Sequence, residues 1–308
     1  MSIKLETLCS FGIFFCINIS TYLLILSSNV NFYSNFSVFF HISYVFFSCS
    51  SYYLLIVVHR NPGVIEYNNN NIELAFSVNT ETDNISHSSE NAKINNTSEV
   101  GIPPNSCEKC HIKNLPLRAH HCSRCDKCIR TYDHHCSLIG GCIGENNAFI
   151  FWVFLSFQSI AICHSLYGLL ATEFLLYDQQ LLNGQVILYV YFVMIAVIGI
   201  YIFYLFIFHT YLILTNQTTY EIFHRKKCPY LYLFKELRMK FLNERGIFVR
   251  PSYKYRPFDM GIKENVLFVY NKYKDNGHKV DWEYVLKSNI YNNSMYFNLC
   301  DNEYYSCI

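Results

Sequence analysis

Residues 107–147 read CEKCHIKNLPLRAHHCSRCDKCIRTYDHHCSLIGGCIGENN. Seven cysteines fall in this stretch, at 107, 110, 122, 125, 128, 136 and 142, half of the fourteen in the chain. Zinc sites are tetrahedral and take thiolate and imidazole ligands, and Cys-x2-Cys is the knuckle that lets two sulfurs reach one ion. His121, His135 and the seven cysteines offer one group more than two closed sites need. A cysteine bound to a metal has its thiolate engaged, whereas a spare one beside a histidine can be deprotonated and attack a carbonyl. Cys136, in the run Asp133-His134-His135-Cys136, is the natural spare. His134 is its candidate base, with Asp133 able to orient the ring through the other nitrogen, as the acid does in a triad.

The surroundings of this stretch belong to a membrane. The 308-residue chain is 52% hydrophobic and 15% charged, too apolar for an ordinary soluble enzyme. No Asp, Glu, Lys or Arg occurs from Thr7 to His59, from Asn146 to Thr172, or from Gln179 to Tyr220. A spanning helix needs roughly 20 apolar residues. The first run is interrupted at Ser27-Ser28-Asn29-Val30-Asn31, where turn formers cluster, and so divides into two helices. Four spans are predicted, near 6–27, 36–58, 148–172 and 185–214. A cleaved signal peptide is the alternative for the first, but its apolar stretch is longer than a usual signal core and a second span follows at once.

Lys and Arg are retained on the cytoplasmic side. The 28–35 and 173–184 loops carry neither, whereas Lys4, Arg60 and Arg225-Lys226-Lys227 flank the other ends of the spans. Both termini and the 59–147 loop are therefore expected in the cytosol. Disulfides are disfavoured there, and metal binding or catalysis is the better use of the cysteines. A net charge of +1 says little about partners, and no basic stripe argues for nucleic acid, which is not expected as one.

The expected organisation is spans one and two in 1–60, an Asn-, Ser- and Thr-rich disordered insert in 61–106, the cysteine-rich module in 107–147, spans three and four in 148–214, and a cytosolic tail in 215–308. Tyr230 to Arg245 mixes Leu, Phe and Tyr with charged residues and predicts a helix along the membrane surface. His41, His164 and His209 are read as packed or hydrogen-bonded histidines within spans. Cys228, Cys300 and Cys307 are candidates for acylation.

Residues 107–147 resemble the cysteine-rich domain of the DHHC family of protein S-acyltransferases. The resemblance rests on Cys107-x2-Cys110, Pro116-x-Arg118-x2-His121-Cys122, Cys125-x2-Cys128-x4-Asp133-His134-His135-Cys136 and Cys142-Ile143-Gly144-x2-Asn147. Outside the module, Asn61-Pro62-Gly63, Thr218-Thr219-Tyr220-Glu221 and the segment from Phe258-Asp259-Met260-Gly261 through Asn265 are similar to further elements of that family. Leu138 and Gly140-Gly141 depart from its usual residues, and Cys110 lies one residue farther than usual from His121.

The resemblance implies a polytopic α-helical membrane protein with four transmembrane helices and a small two-zinc module of short hairpins between spans two and three. It implies one structural zinc on Cys107, Cys110, His121 and Cys128, and another on Cys122, Cys125, His135 and Cys142. It further implies a palmitoyltransferase that moves an acyl chain from palmitoyl-CoA to Cys136, with His134 and Asp133 assisting, and thence to cytosolic cysteines of membrane-associated proteins. Arg118 becomes a candidate for the acyl-CoA phosphates. An endomembrane location, Golgi or endoplasmic reticulum, is implied, with the plasma membrane as the alternative. The competing classes are a membrane-tethered zinc module that only binds partners and a membrane ubiquitin ligase with a cross-braced zinc domain.

Overall fold

The computed structural model describes residues 5–28, 38–65, 105–178, 182–244 and 256–274, together with Val285. Most of the expected insert, residues 66–104, lies outside the described residues, as do Cys300 and Cys307.

Four long helices follow the charge-free runs: α1 (Leu5–Ser28), α2 (Val38–Val58), α3 (Ala148–Asp178) and α4 (Leu182–Leu214). Three of them are long and apolar enough to cross a bilayer, over Val38–Val58, Ala148–Ala171 and Val186–Leu214. In α1 the apolar part among the described residues is Phe11–Leu26, short of the span expected there. Helix α3 is central and packs on α1, α2 and α4. Its Phe151, Phe154 and Leu155 are fully buried, whereas α4 turns Val186, Val190, Val197, Ile200 and Phe203 outward, as a lipid-facing helix does.

Within an apolar bundle, paired polar side chains fix which helix faces which. Ser51 on α2 donates to Gln158 on α3 at 2.6 Å, Tyr44 meets Ser165 at 3.2 Å, and Trp152 donates to Thr210 on α4 at 2.8 Å. Two of the span histidines are used the same way. His164 meets Ser43 at 3.1 Å, and His41 meets Tyr22 at 3.3 Å.

The cysteine-rich module is a chain of three two-stranded antiparallel hairpins: β1 (Asn105–Cys107) with β2 (Ile112–Leu115), β3 (His120–Cys122) with β4 (Lys127–Ile129), and β5 (His134–Cys136) with β6 (Gly141–Ile143). So small a unit cannot support itself on apolar burial, which is the physical reason for metal. It is clamped to the helix ends by backbone contacts. Val64 bridges to Ile129, and the Asn61 side chain accepts from the amides of Gly63 and Val64, both at 2.9 Å, closing the turn after α2. Asn147, at the start of α3, donates to the carbonyls of Val58 at 2.9 Å and Cys142 at 3.0 Å, and accepts from Gly144 N at 2.8 Å.

After α4 come α5 (Thr219–Phe223), a 3-10 turn (Arg225–Lys227), α6 (Pro229–Glu244), close to the predicted surface helix, and α7 (Ile262–Lys274). Asn265 on α7 donates to the Leu214 carbonyl and to Asp259, both at 2.7 Å, so the tail folds back on the end of α4.

Gly144 sits where three segments meet, and an added Cβ would lie 2.5 Å from Ile129 Cγ2 and 2.6 Å from the Pro62 carbonyl oxygen. Gly144→Ala is therefore expected to destabilise the protein by about 1–3 kcal/mol, read as a lowered melting temperature in detergent. Gly12→Ala on α1 meets nothing within 4 Å and is expected to leave the melting temperature level or raise it slightly. Equal behaviour of the two variants would contradict this packing.

Candidate active site

Cross-strand pairing explains how the ligand-type residues collect. Directly opposed residues in an antiparallel pair project to the same face. His121 is opposed to Cys128 in β3–β4, and His135 to Cys142 in β5–β6. Each pair meets a Cys-x2-Cys knuckle from the hairpin before it. Cys110 Sγ lies 3.3 Å and Cys128 Sγ 3.9 Å from His121 Nδ1, with Cys107 completing that cluster. Cys122, Cys125 and Cys142 sulfurs lie 3.6, 3.4 and 3.7 Å from His135 Nδ1. His111 and Asp126, each just after the second cysteine of a knuckle, share a left-handed φ of 53°.

In each cluster the four ligand atoms lie within 4.8 Å of one another. Tetrahedral zinc, with bonds of about 2.0 Å to nitrogen and 2.3 Å to sulfur, sets its ligands at separations of this order, so both clusters fit zinc. An ion held there would cross-link consecutive hairpins.

The same pleat separates Cys136 from the ligands. Successive side chains of a strand point to opposite faces, so His134 and Cys136 share one face of β5 while His135 turns to the other. Cys136 is buried and belongs to the apolar cluster that runs through Ile139, Ile143, Phe151, Phe154 and Leu55 into the helical bundle. His134 Nδ1 is 2.6 Å from Asp133 Oδ2. Asp133 in turn accepts from the Thr219 amide at 2.7 Å and the Thr219 hydroxyl at 2.8 Å. Burial works to raise the Asp133 pKa, but the hydrogen bond and charge of His134 outweigh it and hold the carboxyl below its usual range. Burial likewise works to lower the His134 pKa, and Asp133 and Cys136 together lift it well above the ordinary imidazole value.

Residues 101–226 match the family model described as DHHC palmitoyltransferase. They are a DHHC-family domain. The chain is 32% identical over 215 residues to "Putative ZDHHC-type palmitoyltransferase 7" of Dictyostelium discoideum, a match covering 65% of this chain and 42% of that protein. It is 35% identical over 125 residues to "Protein S-acyltransferase 10" of Arabidopsis thaliana, covering 41% and 36%. To human "Palmitoyltransferase ZDHHC14" it is 38% identical over 131 residues, covering 37% and 24%. The chain spans less than half the length of these three relatives.

Arg118 of the DHHC domain is not where the sequence reading put it. Instead of facing a phosphate it is 2% exposed and forks onto Glu221, with Nε to Oε1 at 2.7 Å and Nη2 to Oε2 at 2.9 Å. It also donates to the Asn216 side chain and carbonyl, both at 3.1 Å, and lies 4.2 Å from the centre of the Phe258 ring. A planar five-donor group suits such a crowded carboxylate site. Glu221 completes a capping box with Thr218 and accepts from Tyr230 at 2.9 Å. Cys228 is likewise corrected. It is fully buried, burial pushes its thiol up to about 11, and it cannot present a nucleophile for acylation.

Two residues near Asp133 and His134 escaped the sequence reading. Thr219 enters the sequence reading only as part of a family-like element, yet it holds Asp133 directly. His209 was taken as packing, yet its ring lies 5.6 Å from that of His134. An ionisable residue inside a span is a functional signal by default, and that signal was present. The departures Leu138 and Gly140-Gly141 have a structural account. Leu138 packs against the main apolar cluster, Gly140 has φ 71°, and a Cβ on Gly141 would lie 3.1 Å from His59 Nδ1.

Elemental analysis of purified protein is expected to give two zincs per chain, and Cys110→Ser to lower that count together with the melting temperature. Arg118→Ala is expected to cost about 3–5 kcal/mol by stranding a buried carboxylate, with Arg118→Ala/Glu221→Ala recovering part of the loss. A change in the acyl-CoA KM alone, at unchanged stability, would argue against this placement.

Proposed function

We propose that this protein is a protein S-acyltransferase that carries a fatty acyl chain, palmitate in the first instance, on Cys136. The observation that carries the reading is the shared face of β5: His134 and Cys136 lie together, His134 is bonded to Asp133, and Cys136 opens into the apolar cluster of the helical bundle. Asp133 holds His134 in the tautomer whose second nitrogen faces Cys136. His134 then receives the thiol proton as the Cys136 thiolate attacks the thioester of acyl-CoA, and returns it to the departing CoA thiolate. In the second step a substrate cysteine, deprotonated by the same imidazole, takes the acyl group and regenerates Cys136. Thioester is exchanged for thioester, so position limits the reaction more than driving force does.

Burial of the acyl chain supplies the position. Each methylene moved out of water is worth roughly 0.8 kcal/mol, and the thiol already lies at the edge of an apolar bundle. In this reading the zinc ligands, Cys107, Cys110, His121 and Cys128 and then Cys122, Cys125, His135 and Cys142, are structural, and Arg118 with Thr219 positions the acid. Helix α1 serves as the fourth span. Support comes from its packing on α3, with Phe14 and Phe154 ring centres 5.9 Å apart, and from the outward Ile13, Phe15, Ile19 and Leu23. Both termini and the DHHC domain face the cytosol, where acyl-CoA and the target cysteines of membrane-associated proteins are found.

Incubation with labelled palmitoyl-CoA is expected to give hydroxylamine-sensitive label on the parent and none on Cys136→Ser, with zinc content equal in both. Asp133→Asn is expected to lower the labelling rate by about 10⁴-fold, the loss seen when a triad acid no longer fixes its histidine. Full labelling of Cys136→Ser would sink the mechanism.

A further inference from the structure

His209 has no part in the mechanism above, yet it is buried beside it. Among the described residues, Asp133, His134 and His209 form a third group whose ligand atoms all lie within 4.8 Å of one another. Asp133 and His209 also line a cavity of about 60 Å³ shared with Thr131, Asn216 and Gln217, which is room for a small ion or water beside them. Two cations on its wall, Arg118 and Lys272, are ion-paired to Glu221 and Glu145.

We propose that Asp133, His134 and His209 form a third, exchangeable divalent-cation site, and that Zn²⁺ bound there switches Cys136 off. One carboxylate and two imidazoles are an open three-ligand set for zinc, with a water as the fourth. Seating the ion between His134 Nδ1 and Asp133 Oδ2 opens that contact from 2.6 Å to about 3.3 Å, the ligand separation that bonds of about 2.0 Å impose. The ion takes the place of the proton on Nδ1, which passes through solvent to the ring's other nitrogen, so the ring stays neutral. With Asp133 and Nδ1 both engaged by the ion, the Asp133–His134 hydrogen bond that orients the ring is lost and the imidazole no longer serves Cys136. This site differs from the two structural clusters in having no sulfur, which makes it weaker and its spectrum distinct.

The metal-binding half of the proposal stands apart from the acyl-transfer reading, and only the inhibition half rests on it. The test uses the full chain in nanodiscs, freed of loose metal by gel filtration and titrated with micromolar Zn²⁺. Elemental analysis is expected to show a third equivalent that brief EDTA removes while two remain, and palmitoyl-CoA labelling of Cys136 is expected to fall and recover in step. His209→Leu is expected to keep two zincs and to shift the third binding midpoint by more than about tenfold, whereas Cys136→Ser keeps all three. With Co²⁺ the third equivalent is expected to add weak visible bands and no sulfur-to-cobalt charge transfer, a readout on the parent that serves even if His209→Leu loses its structural metal. Binding that stops at two equivalents, a third equivalent with sulfur charge transfer, or a third equivalent unaffected in a folded His209→Leu each overturns the site. If the parent takes up the third ion but never labels, the site stands and the acyl-transfer reading falls.

Discussion

Everything around Cys136 depends on the pleat of a three-residue strand. His135 on one face of β5 is drawn into a cluster with Cys122, Cys125 and Cys142, and the alternation of the backbone then leaves His134 and Cys136 no choice but the opposite face. A slip of one residue would send Cys136 to the metal side and His135 to the bundle. Metal-type ligands thus act at a distance from the chemistry by fixing a register. They also compensate for a module too small to hold that register by burial alone.

The second constraint is that the acid is held from outside the module. Asp133 lies in the hairpin segment, but its two oxygens are fixed by Thr219, eighty-six residues later in the chain and just past the end of α4. Arg118 fastens the same two regions a second time through Glu221. The geometry of Asp133 and His134 therefore reports on whether α4 is seated against the hairpins, and α7 bears on that seating through Asn265. Chain segments far apart in sequence share responsibility for the orientation of one imidazole.

Much of this was legible in the residues. The charge-free runs located the helices to within a few positions, and counting ligands against two tetrahedral sites left Cys136 over. The interleaving of the two clusters was less open to reading, although both end in His-x6-Cys, at His121 to Cys128 and His135 to Cys142. That spacing is the opposed pair of a short hairpin, which emerges only once the strands are known to turn where they do. Arg118 was misread because a guanidinium suits phosphate and carboxylate equally well, and only the fold says which of them it meets. His209 was missed because a histidine among Phe and Tyr in an apolar helix has no titratable partner nearby in sequence to give it away. The imidazole it meets, His134, lies seventy-five positions away in the chain.

The ends of the Asn-rich stretch have a consequence of another kind. Ile65, where the chain leaves the module, packs against the same small cluster as Cys107 and Leu115, where it returns, and the Ile65 amide donates to the Cys128 carbonyl at 2.8 Å. Departure and return are thus neighbours, each anchored on its own account. For a loop whose ends are already held together, a doubling of length adds only about 0.6 kcal/mol of closure entropy. Selection on the hairpins consequently places almost no brake on the number of residues between 65 and 105, which can drift, lengthen or acquire a foreign domain while the strands on either side stay in register.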